Sequence, residues 1–274
     1  MKKEVIRKTS SAILSFIAAF LLAIALFTGV ISACLSETMV RHYLKETNYL
    51  EKAAQEIVPE LEAYAIPGGL PEDFFASGVD IQTLEADMDE AIRYAYRREA
   101  LPTTAFSVDL KERICEYARE KYGDQYSEET QEEIDLLVKY CDEDSYRVFA
   151  SPSLLRYSAM AGSILNPWGY VGAAALVVVS ALLSAFVFRM NAGAARRIYL
   201  ASTLNGAGLM VLAFPLYVLC SGTVAKLGLT SPCLYGLATR ALYTALYGAV
   251  GVGALVILAG VLYFLFSGKR KKQN

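Results

Sequence analysis

The chain has 274 residues, 55% of them hydrophobic and 20% charged. That is too apolar for an ordinary soluble domain and too charged for membrane spans alone. The charges are partitioned: 27 of the 28 Asp and Glu but only 13 of the 26 Lys and Arg fall within 37–156, leaving −14 there and +12 elsewhere. Nucleic-acid binding is not expected, because the basic residues are thin flanks of apolar stretches and form no continuous patch.

Four charge-free stretches, 9–36, 157–188, 198–225 and 241–268, are each long enough to cross a bilayer, which takes about 20 apolar residues. Lys2, Lys3, Arg7 and Lys8 precede the first, Arg189, Arg196 and Arg197 follow the second, and Lys269 to Lys272 follow the fourth. Basic flanks mark the cytoplasmic side. The predicted order is a cytoplasmic N-terminus (1–9), span one (10–35), an extracytoplasmic acidic helical domain (36–165) and span two (166–188). A cytoplasmic loop (189–197), span three (198–221), a short extracytoplasmic loop (222–240), span four (241–267) and a cytoplasmic tail (268–274) follow. The expected class is all-α, a four-span integral protein of the plasma membrane with a helical bundle domain between spans one and two.

The apolar core of span one is longer than the roughly 7–15 residues of a secretory signal, so retention as an anchor is expected. Ile31-Ser32-Ala33-Cys34 resembles the lipobox of bacterial lipoproteins, and that resemblance would make Cys34 a lipidation site. No strong breaker occurs between Gly29 and Pro59, so span one is predicted to run outward as one helix over 10–58, whereas Asn166-Pro167 is predicted to be a hinge.

Within the acidic segment every apolar repeat has helical spacing: Leu50, Ala54, Ile57 and Leu61; Ile81, Leu84, Met88 and Ile92; Leu110, Ile114 and Tyr117; Ile134, Leu137 and Cys141. Breaks fall at 66–71, at Leu101-Pro102, at Tyr122-Gly123-Asp124 and at Ser151-Pro152, with Asp80, Ser107 and Ser127 as N-caps. Four or five helices with short loops predict an antiparallel bundle. The acidic clusters around Glu85 to Glu90, Glu128 to Glu133 and Asp142 to Asp144 lack the spacing of a calcium loop and are expected to be solvated faces.

From residue 157 onward there is no Asp, Glu or His, which argues against proton-coupled transport. The polar features of span three are Asn205, expected to make an interhelical contact, and Pro215, expected to kink the helix. Small residues at four-residue spacing, Gly169 and Ala173 in span two and Ala245, Ala249 and Gly253 in span four, predict close packing.

Catalysis is not expected. His42 is the only histidine, and no nucleophile motif or metal-ligand spacing is visible; no cofactor is implied. All five cysteines fall on the outer side of this topology, where Cys115 with Cys141 and Cys220 with Cys233 are candidate disulfides and buried free thiols are the equal alternative. Eleven of the 18 tyrosines lie within 43–157, and those exposed on an acidic surface would suit a protein partner.

In span order, one helix, a large outer domain and three further helices, the chain resembles the FtsX/MacB-type permease subunits of ABC systems. The likeness covers topology alone. It implies an alternative role as a permease-like or transport-accessory subunit working with a cytoplasmic ATPase. The residues themselves favour a non-enzymatic envelope protein, embedded in the lipid bilayer, whose outer domain binds a protein partner or senses a condition.

Overall fold

The computed structural model describes residues 2–99, 104–123, 126–145, 148, 153–229 and 231–269. Among them the chain is all-helical, with no strand. The helices are α1 (Lys2–Cys34), α2 (Glu37–Glu46), α3 (Tyr49–Ala65), α4 (Ile81–Arg97), α5 (Ala105–Tyr122), α6 (Glu128–Ser145), α7 (Ser153–Met190), α8 (Ala194–Ser221) and α9 (Pro232–Lys269). The described residues form two compact units, one within Met1–Leu35, Ile164–Leu227 and Ala241–Asn274, the other within Ser36–Ser163 and Gly228–Arg240.

Four helical segments are long and apolar enough to cross a membrane: Lys3–Cys34, Trp168–Met190, Ala194–Ser221 and Pro232–Ser267. In the first unit three of them meet around small side chains, Ala19 and Ala23 of α1, Ala207 and Val211 of α8 and Ala249 of α9. Large ones such as Phe16, Leu182, Phe214 and Leu255 point away from the protein. That inversion suits hydrocarbon as the solvent, in which helices associate by close packing and hydrogen bonds. A Cβ on Gly208 would lie 2.5 Å from Ile257 Cγ1, and one on Gly253 would lie 2.8 Å from Leu212 Cγ. Gly169 likewise leaves room for Ser32 Oγ. Helix α1 is also tied by polar contacts: Ser180 Oγ donates to Ala18 O at 2.8 Å, Ser32 Oγ to Leu165 O at 3.2 Å and Asn191 Nδ2 to Ser11 Oγ at 2.8 Å.

The second unit is built from α2 to α6, with Tyr43, Tyr49, Ile57, Leu61, Leu84, Ile92 and Ile114 among its most buried side chains. Asp80 caps α4, accepting from Gln82 N and Thr83 N at 3.2 and 3.0 Å, and Ser127 Oγ accepts from Thr130 N at 3.3 Å. The cap of α5 is Thr104, not Ser107: Thr104 Oγ1 accepts from Ser107 N at 3.2 Å. Asp87 of α4 adds its carboxyl to the same helix start, taking Ala105 N and Phe106 N at 2.8 Å each. The expected breaks at Leu101-Pro102 and Ser151-Pro152 lie outside the described residues, as does Asp124.

Two expectations about the joints are overturned. Span one does not continue as one helix to residue 58: α1 ends at Cys34, and Ser36 starts α2 as its N-cap, its side chain accepting from Met39 N at 3.4 Å. A second break at Asn48, in the left-handed region at φ 49, separates α2 from α3; asparagine tolerates that conformation better than most residues. The predicted hinge at Asn166-Pro167 is absent, since α7 runs unbroken from Ser153 to Met190. Proline removes only one helical hydrogen bond, and a long helix can absorb that loss. Pro59 in α3 and Pro215 in α8 are also inside continuous helices.

Candidate functional site

The turn after α3 builds one wall of an open cleft. Leu70 N donates to Ala65 O at 2.8 Å and Gly69 N to Ile66 O at 3.0 Å, with Gly69 at φ 70. This double bond pattern closing on a left-handed glycine is a Schellman motif. Gly68 suits the close packing there, because a Cβ would lie 2.9 Å from Leu137 Cδ2 and 3.0 Å from Tyr64 O. Opposite the turn stand α5, through Ile114, Tyr117, Ala118 and Tyr122, and α6, through Glu133, Ile134, Leu137 and Tyr140. The volume enclosed is about 530 Å³, within the range of ligand pockets.

Four tyrosines from three elements, Tyr64, Tyr117, Tyr122 and Tyr140, share this lining. Leu136, Tyr140 and Tyr122 are 52%, 48% and 42% exposed, so the rim offers apolar surface to solvent instead of burying it. Exposed Lys121 sits at the edge of these residues: its Nζ donates to Gly69 O at 2.6 Å and lies 5.5 and 5.6 Å from the ring centroids of Tyr117 and Tyr122. Tyr64 OH donates to Asp144 Oδ2 at 2.8 Å, and that bond, with burial and the Asp144 charge, raises the phenol above its ordinary value. Glu133 is exposed on the lining and makes no ion pair among the described residues.

A second polar cluster is structural in form. Ser231 and Pro232 open α9 as N-cap and first residue, Ser231 Oγ accepting from Leu234 N at 3.3 Å. Glu56 of α3 completes the cap: Oε1 accepts from Cys233 N at 2.8 Å and Oε2 from Ser231 Oγ at 2.6 Å. A carboxyl at a helix N-terminus meets unsatisfied N–H groups and the positive end of the helix dipole. Tyr49 is buried beside this cluster and donates to Val148 O at 2.7 Å; burial first, then Cys233 and Glu56, push its phenol up. Seven residues further along α9, Arg240 grips Glu46 of α2 with two bonds of 2.6 and 2.9 Å. That pairing holds the Glu46 carboxyl below its ordinary value.

The residues expected to carry chemistry lie elsewhere and apart. No two cysteines are joined, so neither Cys115–Cys141 nor Cys220–Cys233 is formed as a disulfide in the structure. Cys115 meets Gln131, Cys233 meets Ser231 and Glu56, and burial pushes the Cys141 thiol up to about 12. Cys34 is the half-buried last residue of α1, and Cys220 is exposed. Asn205 abuts Gly260 of α9, but its buried Oδ1 has no hydrogen-bond partner among the described residues. His42 is exposed and lies 3.4 Å from Glu46. Among the described residues no three His, Cys, Asp or Glu converge as a metal site would require.

Sequence reasoning named the tyrosines as a class but missed the cleft that four of them share, the Asp87 cap and the Glu56 cap. The glycine pair of 66–71 was the available signal for the first. Compared with known proteins, the chain matches no family model, no curated protein sequence and no solved structure.

Proposed function

We propose that this is a non-enzymatic multi-pass protein of the plasma membrane, with both termini cytoplasmic and residues 36–165 outside, whose acidic helical domain binds a protein partner through the tyrosine-lined cleft. The observation that carries the reading is the cleft itself: exposed aromatic and leucine side chains gathered around a preformed concavity. Tyrosine supplies large contact area at low entropic cost and is enriched at interfaces. The orientation rests on the eleven basic residues flanking the cytoplasmic ends, against Lys226 and Arg240 on the opposite side.

Site-specific photo-crosslinking in intact cells tests it. A benzophenone side chain at Leu136, on the cleft rim, should give one discrete adduct, and one at Val108, exposed on α5 away from the cleft, should give none. Equal labelling at both positions, or none at Leu136, would remove the cleft as the binding surface.

The alternative is a permease-like or transport-accessory subunit working with a separate cytoplasmic ATPase, as the span order suggests. The connection between α7 and α8 weighs against it. Only Asn191 to Gly193 separate the two helices, and Asn191 is buried against Ser11 and Val187, which leaves little surface to seat an ATPase. A stoichiometric nucleotide-binding subunit retained through purification in mild detergent would favour this alternative.

A further inference from the structure

At its edge the cleft in the helical domain already has a cation resting on three of the residues that line it, Gly69, Tyr117 and Tyr122. Lys121 projects from the last turn of α5, and its ammonium lies over the rings of both Tyr117 and Tyr122 while donating to the Gly69 carbonyl. Ring faces carry negative quadrupole density and attract ammonium and guanidinium groups within about 6 Å of the centroid. The carbonyl is positioned by the Schellman turn, whose left-handed Gly69 aims it at the same point. Two aromatic faces and a fixed acceptor are thus arranged around one position, and the group that occupies it is positive.

The surroundings extend that preference. Glu133 lines the cleft without an ion pair among the described residues, and Asp144 and Glu60 lie close enough to Tyr64 to raise its phenol. Lys121 is itself exposed at the rim, so it can swing away at the cost of one neutral-acceptor hydrogen bond and two ring contacts. The rest of the lining, with Ile114, Leu136 and Leu137, is apolar and would hold the stem or neighbours of an incoming side chain, as lysine and arginine stems are commonly held.

Resting on the partner-binding reading above, we propose that the cleft recognises a lysine or arginine side chain set among apolar residues of a protein partner, and that this side chain displaces Lys121 from the rim contacts it makes with Tyr117, Tyr122 and Gly69. An anionic or purely apolar ligand would leave the ring faces and Glu133 unmatched. A lipid headgroup amine shares the cation but not the flanking apolar peptide, and the probes separate the two.

The test uses the full-length protein in nanodiscs of a zwitterionic lipid without a primary amine. The probes are capped, dye-labelled nine-residue leucine- and alanine-rich peptides with lysine, arginine, norleucine or glutamate at the centre, read by fluorescence anisotropy. The lysine and arginine peptides should bind about tenfold more tightly than the norleucine peptide, and the glutamate peptide more weakly still. Tyr122→Leu, a change at an exposed ring that leaves net charge alone, should weaken the lysine peptide about fivefold by removing one ring contact. Glu133→Gln should weaken it less, and Lys121→Met should tighten it by freeing the rings. Circular dichroism and melting of each variant establish that the fold is retained.

Equal affinity for the norleucine peptide, no effect of Tyr122→Leu, or no binding by any peptide would each overturn the proposal. Competition by free ethanolamine but not by excess unlabelled lysine peptide would overturn it in favour of a lipid headgroup. A discrete crosslink from Leu136 persisting while every cationic peptide fails would sink the cation specificity alone and leave the partner-binding reading standing.

Discussion

Asp87 was expected to belong to a solvated acidic face, but its side chain is buried and takes two backbone N–H groups of α5. No local signal announces this, because the donors lie 18 and 19 residues away on the next helix. Charge-assisted bonds to buried N–H groups contribute about 1.5–3 kcal/mol each, and removing the acceptor strands the donors. Asp87→Ala should therefore destabilise the protein by about 2–4 kcal/mol, and Asp87→Asn by less, since an amide oxygen can still accept from one of them; denaturant melts of the two variants check the order. The cysteines yield a second residue-scale expectation. With the Cys141 thiol buried and pushed up to about 12, maleimide should leave Cys141 unmodified in the native protein until it unfolds. All five thiols should label after denaturation without reductant; a shortfall that reductant restores would show a disulfide, and one that it does not restore would mark a modified cysteine such as a lipidated Cys34.

Helices α2 and α3 interrupt the rod expected to run on from span one, and the reason lies in two polar residues. Ser36 offers a cap that competes with continuing the helix, and Asn48 takes up the left-handed turn. Both types were visible in the sequence, but a breaker search confined to glycine and proline passes over them. Conversely, proline within α3, α7 and α8 stops nothing: each helix continues past the one hydrogen bond its proline removes. The same two helices hold the start of α9 at Glu46 and Glu56. Glu56→Ala should cost about 1–3 kcal/mol by exposing the α9 cap to two unmet donors, detectable as faster amide exchange at Cys233 and Leu234. The Glu46–Arg240 pair is largely solvent-facing and adds less. Its pH dependence has a definite sign. The folded carboxyl titrates below its ordinary value near 4.5, so the contribution is complete above that pH and is lost as pH falls through the folded value. Carboxyl NMR titration of Glu46 should show a depressed midpoint that returns toward 4.5 in Arg240→Gln.

Across the whole molecule, the proposed orientation predicts that a reporter fused at Gly193 behaves as cytoplasmic and one at Gly123 as external; the opposite result at either position would invert or break the topology. By itself the sequence determined that the chain is helical, that four segments can cross a membrane, and that the acidic residues are gathered in one segment between the first two. These properties follow from composition and periodicity summed over windows of about 20 residues, which long-range contacts do not alter. What only the tertiary structure decided is which distant groups meet. Glu56 and Cys233 are 177 residues apart in sequence, and the pairing of the α9 cap with α3 draws Gly228–Arg240, expected to be a mere loop, into the helical unit. In the sequence Tyr64, Tyr117 and Tyr140 fall in helical segments and Tyr122 at a break, and nothing local joins them; the turn at Gly68 and Gly69, packed close to Leu137 of α6, brings them around one cleft. Hydropathy is a property of a segment. A site depends on the directions of side chains from several segments at once, and the packing of the helices sets those directions.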